Sequence, residues 1–324
     1  MTYYFNKVYI NEKYSFLASD KYSPVIMDNV DEFENDYYLK KKTIELAEIE
    51  FQRKVLNGLL EKCKLGKKDI DLLIGGDLQN QILASTIASS GTDISTLGIY
   101  SACASFVEGI IIGSMFLNSE KNSKIVITSS SHNLVSEKQF RFPVEYGAVR
   151  RRVNTCTASG SIGILLSCKK SNIKVDCATI GSVIQTNHKD ANDMGSAMAS
   201  ACVDTLIKHL NDTKRDYNYY DLILTGDLGI YGKKIVERVY KEIKNIQLKN
   251  IIDAGSIFYE DENIYAGASG PVCLPLVFFD YILKQKKYKK ILIIGTGSLH
   301  SVTSTNLGIP IPSIAHAISL EVKY

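Results

Sequence analysis

Cys103 stands in the stretch Ile99-Tyr100-Ser101-Ala102-Cys103-Ala104-Ser105, where a strand-like end and small residues lead into an apolar helical run from Ala104 to Leu117. A helix N-terminus offers free amides and the positive end of the macrodipole, so a thiol held there is stabilised as a thiolate and becomes a nucleophile. The same amides could form an oxyanion hole or hold a ligand carboxylate, because such a terminus attracts anions whether or not a reaction follows. His300, in a Gly/Ser-rich loop near the end of the chain, is the candidate base for that sulfur; the competing reading is a polar residue of a surface loop. The seven cysteines are odd in number and scattered, with no Cys-x-x-Cys pair, so neither a metal site nor a redox pair is expected, and a reducing compartment is.

The elements around these residues alternate between helical and strand patterns, which predicts an α/β fold with sheets covered by helices. A helix is expected over Lys40 to Cys63, closed by Leu65-Gly66 as a glycine cap, and is followed by the strand and loop Asp71-Leu72-Leu73-Ile74-Gly75-Gly76-Asp77-Leu78. A second helix, from about Ser196 to Leu210, leads to Asp221-Leu222-Ile223-Leu224-Thr225-Gly226-Asp227-Leu228, nearly the same peptide 150 residues later. Two more matches keep the order: Ile99 to Ser105 with Ile264 to Gly270, and Lys124 to His132 with Lys290 to His300. An apolar strand then closes each copy, at Gly160 to Ser167 and Ala315 to Val322. Ordered repetition of this kind predicts two duplicated α/β halves, residues 1–170, which carry Cys103, and residues 171–324.

Composition narrows the partners. With 38 basic and 35 acidic residues the net charge is +3, and no stretch interleaves basic residues with aromatics, so nucleic acid is not an expected partner. The first ten residues lack the apolar run of a signal peptide, and the stretches 109–117 and 271–283 fall short of the ~20 residues needed to span a bilayer. An intracellular protein without a transmembrane segment is expected.

Duplication with a cysteine ahead of the first-half helix resembles the thiolase superfamily, which implies a layered αβαβα arrangement. In the condensing enzymes of that superfamily the second half supplies two polar partners to the cysteine, commonly His with His or His with Asn. Here the corresponding loops read Thr225-Gly226-Asp227-Leu228-Gly229 and Tyr265-Ala266-Gly267-Ala268-Ser269-Gly270, with aspartate at the first place and neither His nor Asn at the second. An ionised Asp227 would repel an enolate, so condensation is not expected.

Further stretches are similar to the stage V sporulation protein AD family: Gly75 to Ile82, Tyr100 to Glu108, Thr128-Ser129-Ser130-Ser131-His132-Asn133, Gln139 to Gly147, Lys189 to Gly195 and Thr225 to Gly229. That resemblance implies a non-catalytic protein that binds dipicolinate, free or as its calcium chelate, and helps move it into the forespore. Its implied partners are the membrane-embedded proteins of the SpoVA machinery, which would place it at the forespore or spore inner membrane; thiolase-like units also usually form homodimers. For a flat ring flanked by two carboxylates, Arg141 would grip one carboxylate and Lys189 neutralise the other. His132 and the Cys103 turn would add donors, and Phe142, Tyr146 and Met194 would line the ring. Glu145, Asp190, Asp227 and Ser269 complete the expected ligand-binding set.

Each of these has a plainer alternative. Arg141 and Glu145 could pair only with each other, Lys189 and Asp190 could form a solvated ion pair, His132 could be satisfied by backbone, and Met194 could belong to the core. Residues 150–160 lack the tryptophan expected of the family, and Pro271 stands where the family is expected to differ. The competing function is an acyl-transfer enzyme with Cys103 as nucleophile and His300 as base.

Overall fold

The structure, a computed structural model, describes residues 1–19, 24–119, 123–140, 151–261 and 263–324. Ten strands form one continuous hydrogen-bonded path. From one edge it runs through Ile251–Asp253, Leu222–Thr225, Lys290–Ser298, Pro312–Val322 and Ile173–Thr179. It continues through Tyr9–Ala18, Gly160–Ser167, Ile125–Ser131 and Leu72–Gly76 to Thr96–Gly98. Numbered by chain position within each set of five, the order is 3-2-4-5-1 from either edge inward.

The two sets join through the N-terminal segment. Thr2–Tyr4 lies antiparallel to Ile173–Thr179, with Thr2 opposite Thr179, and the same segment continues as Tyr9–Ala18 beside Gly160–Ser167. Tyr9 and Ile10 pair with Lys174 and Ile173 on one side and with Ser167 and Leu166 on the other, and the ladder to Gly160–Ser167 slips register between Ile10 and Glu12. A bulge of this kind bends a strand, and here it sits where the path passes from one set of five to the other.

The layers follow from which faces are apolar. The helix Ile44–Cys63 covers the outer face of the first sheet through Phe51, Val55, Leu56 and Leu59. On the outer face of the second sheet lies Met194–Thr213, packed through Met198, Val203 and Leu206. Between the sheets lies Ser105–Ser119, whose Phe106, Val107 and Ile110 share one core cluster with Ile74, Ile127 and Ile162 of the first sheet and Ile291, Ile293 and Ile318 of the second. The helical stretch Cys273–Gln285 shares that middle layer through Leu274 and Phe278. The result is the expected αβαβα stack.

Two expectations about helices change. The helix Ile44–Cys63 ends on Lys64, which is left-handed (φ 55°), and not on Gly66. Gly66 instead opens the next turn, its amide donating to the Asp69 carboxylate at 2.7 Å. The window Ala102–Ser119 is, by length and a mean hydropathy of 1.4, apolar enough to cross a membrane, yet 67% of it is buried inside the protein. Its composition is explained by having a sheet on each side.

The middle helix and the second sheet approach closely at a glycine. A Cβ on Gly295 would lie 2.7 Å from Val107 Cγ2, well inside van der Waals contact, whereas on Gly66 it would meet nothing nearer than 3.5 Å. Gly295→Ala is therefore expected to destabilise the protein by about 1–3 kcal/mol, and Gly66→Ala to change stability little, both read from urea unfolding midpoints.

Candidate functional site

The residue before the cysteine sets the site. Ala102 is held in the left-handed region (φ 51°), a strained choice for a residue with a Cβ. The turn is fixed by Ala104 N–H donating to Ser101 O at 3.0 Å and Ser105 N–H to Ala102 O at 3.2 Å. The Ser105 hydroxyl adds to this, donating to Ala102 O at 2.8 Å and accepting from Ser101 N–H at 2.9 Å. The helix proper begins at Ser105, so Cys103 lies two residues ahead of it. Across the turn, a Cβ on Gly297 would come within 2.1 Å of Ser101 O, so only glycine lets the strand Lys290–Ser298 press against the cysteine turn.

Cys103 lines a small, partly enclosed cavity of ≈ 20 Å³, room for about one water. Its described walls combine the hydroxyl residues Ser136, Thr157, Ser269 and Ser298 with His300, and set them against Leu78, Ala102, Phe140 and Met194. The ends of both sheets thus meet at one place. The short strands Cys156–Thr157 and Ala268–Ser269 pair in parallel, and Thr155 donates its hydroxyl to Ser269 Oγ at 2.9 Å. Outside lies an open groove of ≈ 660 Å³ that includes Gln81, Tyr100, Gln139 and Ser304. Leu78, Phe140 and His300 line both spaces and form the wall between them, the Phe140 and His300 rings 5.4 Å apart.

Among the residues singled out from sequence, Cys103, Met194, Ser269 and His300 come together in the cavity. His300 is not on the surface: it is 5% exposed, and its Nδ1 is 3.0 Å from the Ser298 hydroxyl. His132 lies elsewhere, its ring stacked between Tyr37 and Phe51 at 4.9 and 5.6 Å and its Nε2 3.1 Å from Tyr37 O. Lys189 is exposed, and the carboxylate of Asp190 pairs with Arg151 at 2.9 Å and not with Lys189. Arg141, Phe142, Glu145 and Tyr146 fall outside the described residues.

Asp227 differs from the expectation in its charge. It is fully buried, among the described residues its carboxyl oxygens accept no hydrogen bond of normal geometry, and it is not among the described cavity walls. Burial first, and then the neighbouring Asp253, push its carboxyl well above the usual carboxylate range, against the Gly270 amide. Burial thus favours the protonated form, which weakens the repulsion expected of an ionised Asp227. Asp253 holds the loop instead, accepting from Gly229 N–H at 2.8 Å, Leu228 N–H at 3.1 Å and the Thr225 hydroxyl at 2.8 Å.

The sequence reading missed Leu78, Phe140, Thr157 and Ser298 as cavity walls. Leu78 directly follows the Asp77 that the repeat had marked, and Ser298 lies two residues before His300, so proximity in sequence was the available signal. A buried acid pair was also missed. Glu48 is pushed up to about 8 by burial and then by Asp77, while Gln79 and Ser130 donate to it at 2.9 Å each.

Burial also drives the imidazoles of His132, His209 and His316 down to about 4. Their folded values lie below the ordinary 6.5, so the unfolded chain takes up protons first as pH falls. The stability they permit is complete above pH 6.5 and is lost toward pH 4, up to about 3 kcal/mol per ring. His132→Phe preserves the stack with Tyr37 and Phe51 and is expected to show a shallower acid decline in urea unfolding free energy than the parent. An equal decline in the variant would exclude His132 as a contributor. Comparing the two isolates this effect from the raised buried carboxyls, which act in the opposite direction.

Comparison with known proteins fits this geometry. Stage V sporulation protein AD of Bacillus subtilis is 34% identical over 291 residues, covering 89% of this chain and 86% of that protein. Among solved structures, 3-oxoacyl-[acyl-carrier-protein] synthase III from Aquifex aeolicus matches with a TM-score of 0.55 at 12% identity, covering 97% of this chain and 99% of its own. A variant of OleA from Xanthomonas campestris matches at 0.62 and 13%, covering 98% and 99%. These distant likenesses establish a thiolase-like fold. The model of the family described as stage V sporulation protein AD matches residues 2–321, and with the close relative it settles the family: the chain belongs to the stage V sporulation protein AD family.

Proposed function

We propose that this sporulation protein binds dipicolinate at the Cys103 cavity, without covalent catalysis, as the soluble-side component of the machinery that moves dipicolinate into the forespore. The observation that carries this reading is the lining. Hydroxyls and an imidazole beside the cysteine turn are donors suited to carboxylates, and Leu78, Phe140 and Met194 give an apolar surface for a ring. Neither sequence loop of the second half supplies the His or Asn partner of a condensing enzyme. The cavity is too small for a pyridine ring, so binding requires the Leu78–Phe140–His300 wall to move toward the outer groove. Arg141, directly after Phe140 in sequence, is the cation proposed for one carboxylate. Membrane-embedded partners of the same machinery belong to this proposal.

A second reading, acyl transfer with Cys103 as nucleophile and His300 as base, is favoured by one observation: both side chains line the same cavity. Calorimetric titration with dipicolinate, with thioester hydrolysis assayed on the same samples, separates the two. The binding reading expects saturable heat, at least tenfold weaker affinity in Arg141→Ala, and no turnover. Acylation that Cys103→Ala abolishes, in a protein that gives no heat with dipicolinate, would replace it with the enzyme.

A homodimer is part of the same proposal. The edge strand Thr96–Gly98 is exposed along its length, while Ile251–Asp253 at the opposite edge is largely buried. Leu83, Ile87, Leu97 and Tyr100, each about 40% exposed, make an apolar border beside the free edge. Leu97→Asp is expected to halve the mass measured by light scattering while leaving the circular dichroism unchanged; an unchanged mass would remove this edge as the interface.

A further inference from the structure

We propose that the face of the molecule opposite the cavity is a docking surface for an anionic lipid bilayer. The site loops follow the ends of Leu72–Gly76, Ile125–Ser131, Leu222–Thr225 and Lys290–Ser298, so the beginnings of these strands lie at the far end of each sheet. Backbone hydrogen bonds trace a line across those beginnings. Ile223 N–H donates to Asn250 O, Asp221 N–H to Lys290 O, Val322 N–H to Lys289 O, Lys323 N–H to Asn172 O, and Asp71 N–H to Lys124 O.

Lysine collects along this line. The turns at 64–71, 169–172, 214–221, 249–250, 284–290 and 323–324, together with Lys124, hold 15 lysines and arginines against 4 aspartates. The rest of the chain holds 23 basic against 31 acidic residues, so these turns are more basic than the remainder of the chain; of the 15, Arg215 is paired with Asp176 at 2.8 Å. The aspartates here are engaged with backbone: Asp221 accepts from the amides of Lys289 and Lys290 at 2.7 and 2.9 Å, and Asp71 from that of Lys124 at 2.7 Å. The five lysines of 284–290 are exposed and, among the described residues, form no salt bridge. Lys290 rests 4.1 Å from the Tyr219 ring, and Arg215 lies 4.2 Å from the same ring.

Exposed apolar side chains select the partner. The helix Gly229–Lys244 runs from the site end back to this face, and there Ile243 is 58% and Ile246 39% exposed; Tyr324 is 48% exposed beside the lysines. Lysines among headgroup phosphates, with aliphatic and tyrosyl groups at the acyl boundary, suit a bilayer surface, whereas the isoleucines would find no counterpart on a nucleic acid. The inference does not depend on what fills the cavity, whose mouth would face away from the bilayer.

The test is co-sedimentation of the full chain with phosphatidylcholine vesicles prepared with and without phosphatidylglycerol, in low and high salt. Binding to the phosphatidylglycerol vesicles alone is expected, reversed by salt. Affinity should fall at least about tenfold in Lys286→Glu/Lys287→Glu/Lys289→Glu and persist in Lys40→Glu/Lys42→Glu, which alters exposed lysines near the site end. Equal thermal melting of both variants and parent separates lost docking from lost folding. Equal binding to both vesicles, no binding, equal loss in both variants, or retention only on heparin or nucleic acid would overturn the proposal.

Discussion

A sheet lies against each side of the helix Ser105–Ser119, and this enclosure governs much else in the molecule. A helix so placed must be largely apolar, which its sequence is apart from Glu108, Ser114 and its ends, and it must accept two sheets at close range, which glycines allow. Gly109 and Gly113 sit against Ile127 and Leu166 of one sheet, while Gly295 and Gly297 of the other admit Val107 and the Ser101 carbonyl. With the helix fixed between two layers, the turn that precedes it is fixed as well. Cys103 is placed by packing from both halves of the sheet path, and the strain at Ala102 is sustained by that packing.

The repeated Gly-Asp-Leu peptide has two fates. In the first copy Asp77 builds its own loop, accepting from Gln79 N–H at 2.9 Å and from the amide and hydroxyl of Ser85 at 2.7 Å each. In the second copy that structural task passes to Asp253, and Asp227 is left buried without a bonded partner. One peptide thus makes a satisfied turn in one place and an unsatisfied acid in the other, and the difference lies in a residue 26 positions downstream of Asp227.

Much of the fold was legible in the sequence because its period was strong. The Val/Ile-rich strands ending in Gly-Asp and the match of Lys124 to His132 with Lys290 to His300 correspond to strands of the sheet path, and the apolar run after Cys103 to the helix between the sheets, while the match of Ile99 to Ser105 with Ile264 to Gly270 lies off the path. Helix ends were less legible, since Lys64 takes the left-handed position that a nearby glycine advertised. The candidate site was legible at Cys103, Ser269 and His300, whose positions are set near strand ends, whereas Met194, for which the sequence favoured the core, opens the helix Met194–Thr213 and reaches the cavity. It was not legible at Leu78, Phe140 or Thr157, whose place depends on contacts between distant segments. Nor was charge: Asp227 and Asp190 look alike in sequence, yet burial disfavours the charged form of one and Arg151 pairs with the other.

The N-terminal segment ties both halves of the sheet path together, and its partners are remote in the chain. Thr2 meets Thr179 across a separation of 177 residues, and Tyr9 meets Ser167. On a ribosome adding about 5–20 residues per second, the first strand made would wait roughly 10–35 s for the strand that completes it. During that interval its apolar positions, Phe16 and Leu17 among them, have the short strand Glu32–Glu34 on one side and lack Gly160–Ser167 on the other. The order of synthesis therefore keeps the first strand waiting until residue 179 has been made, and the junction becomes possible after the first set of five strands is complete and before most of the second set exists.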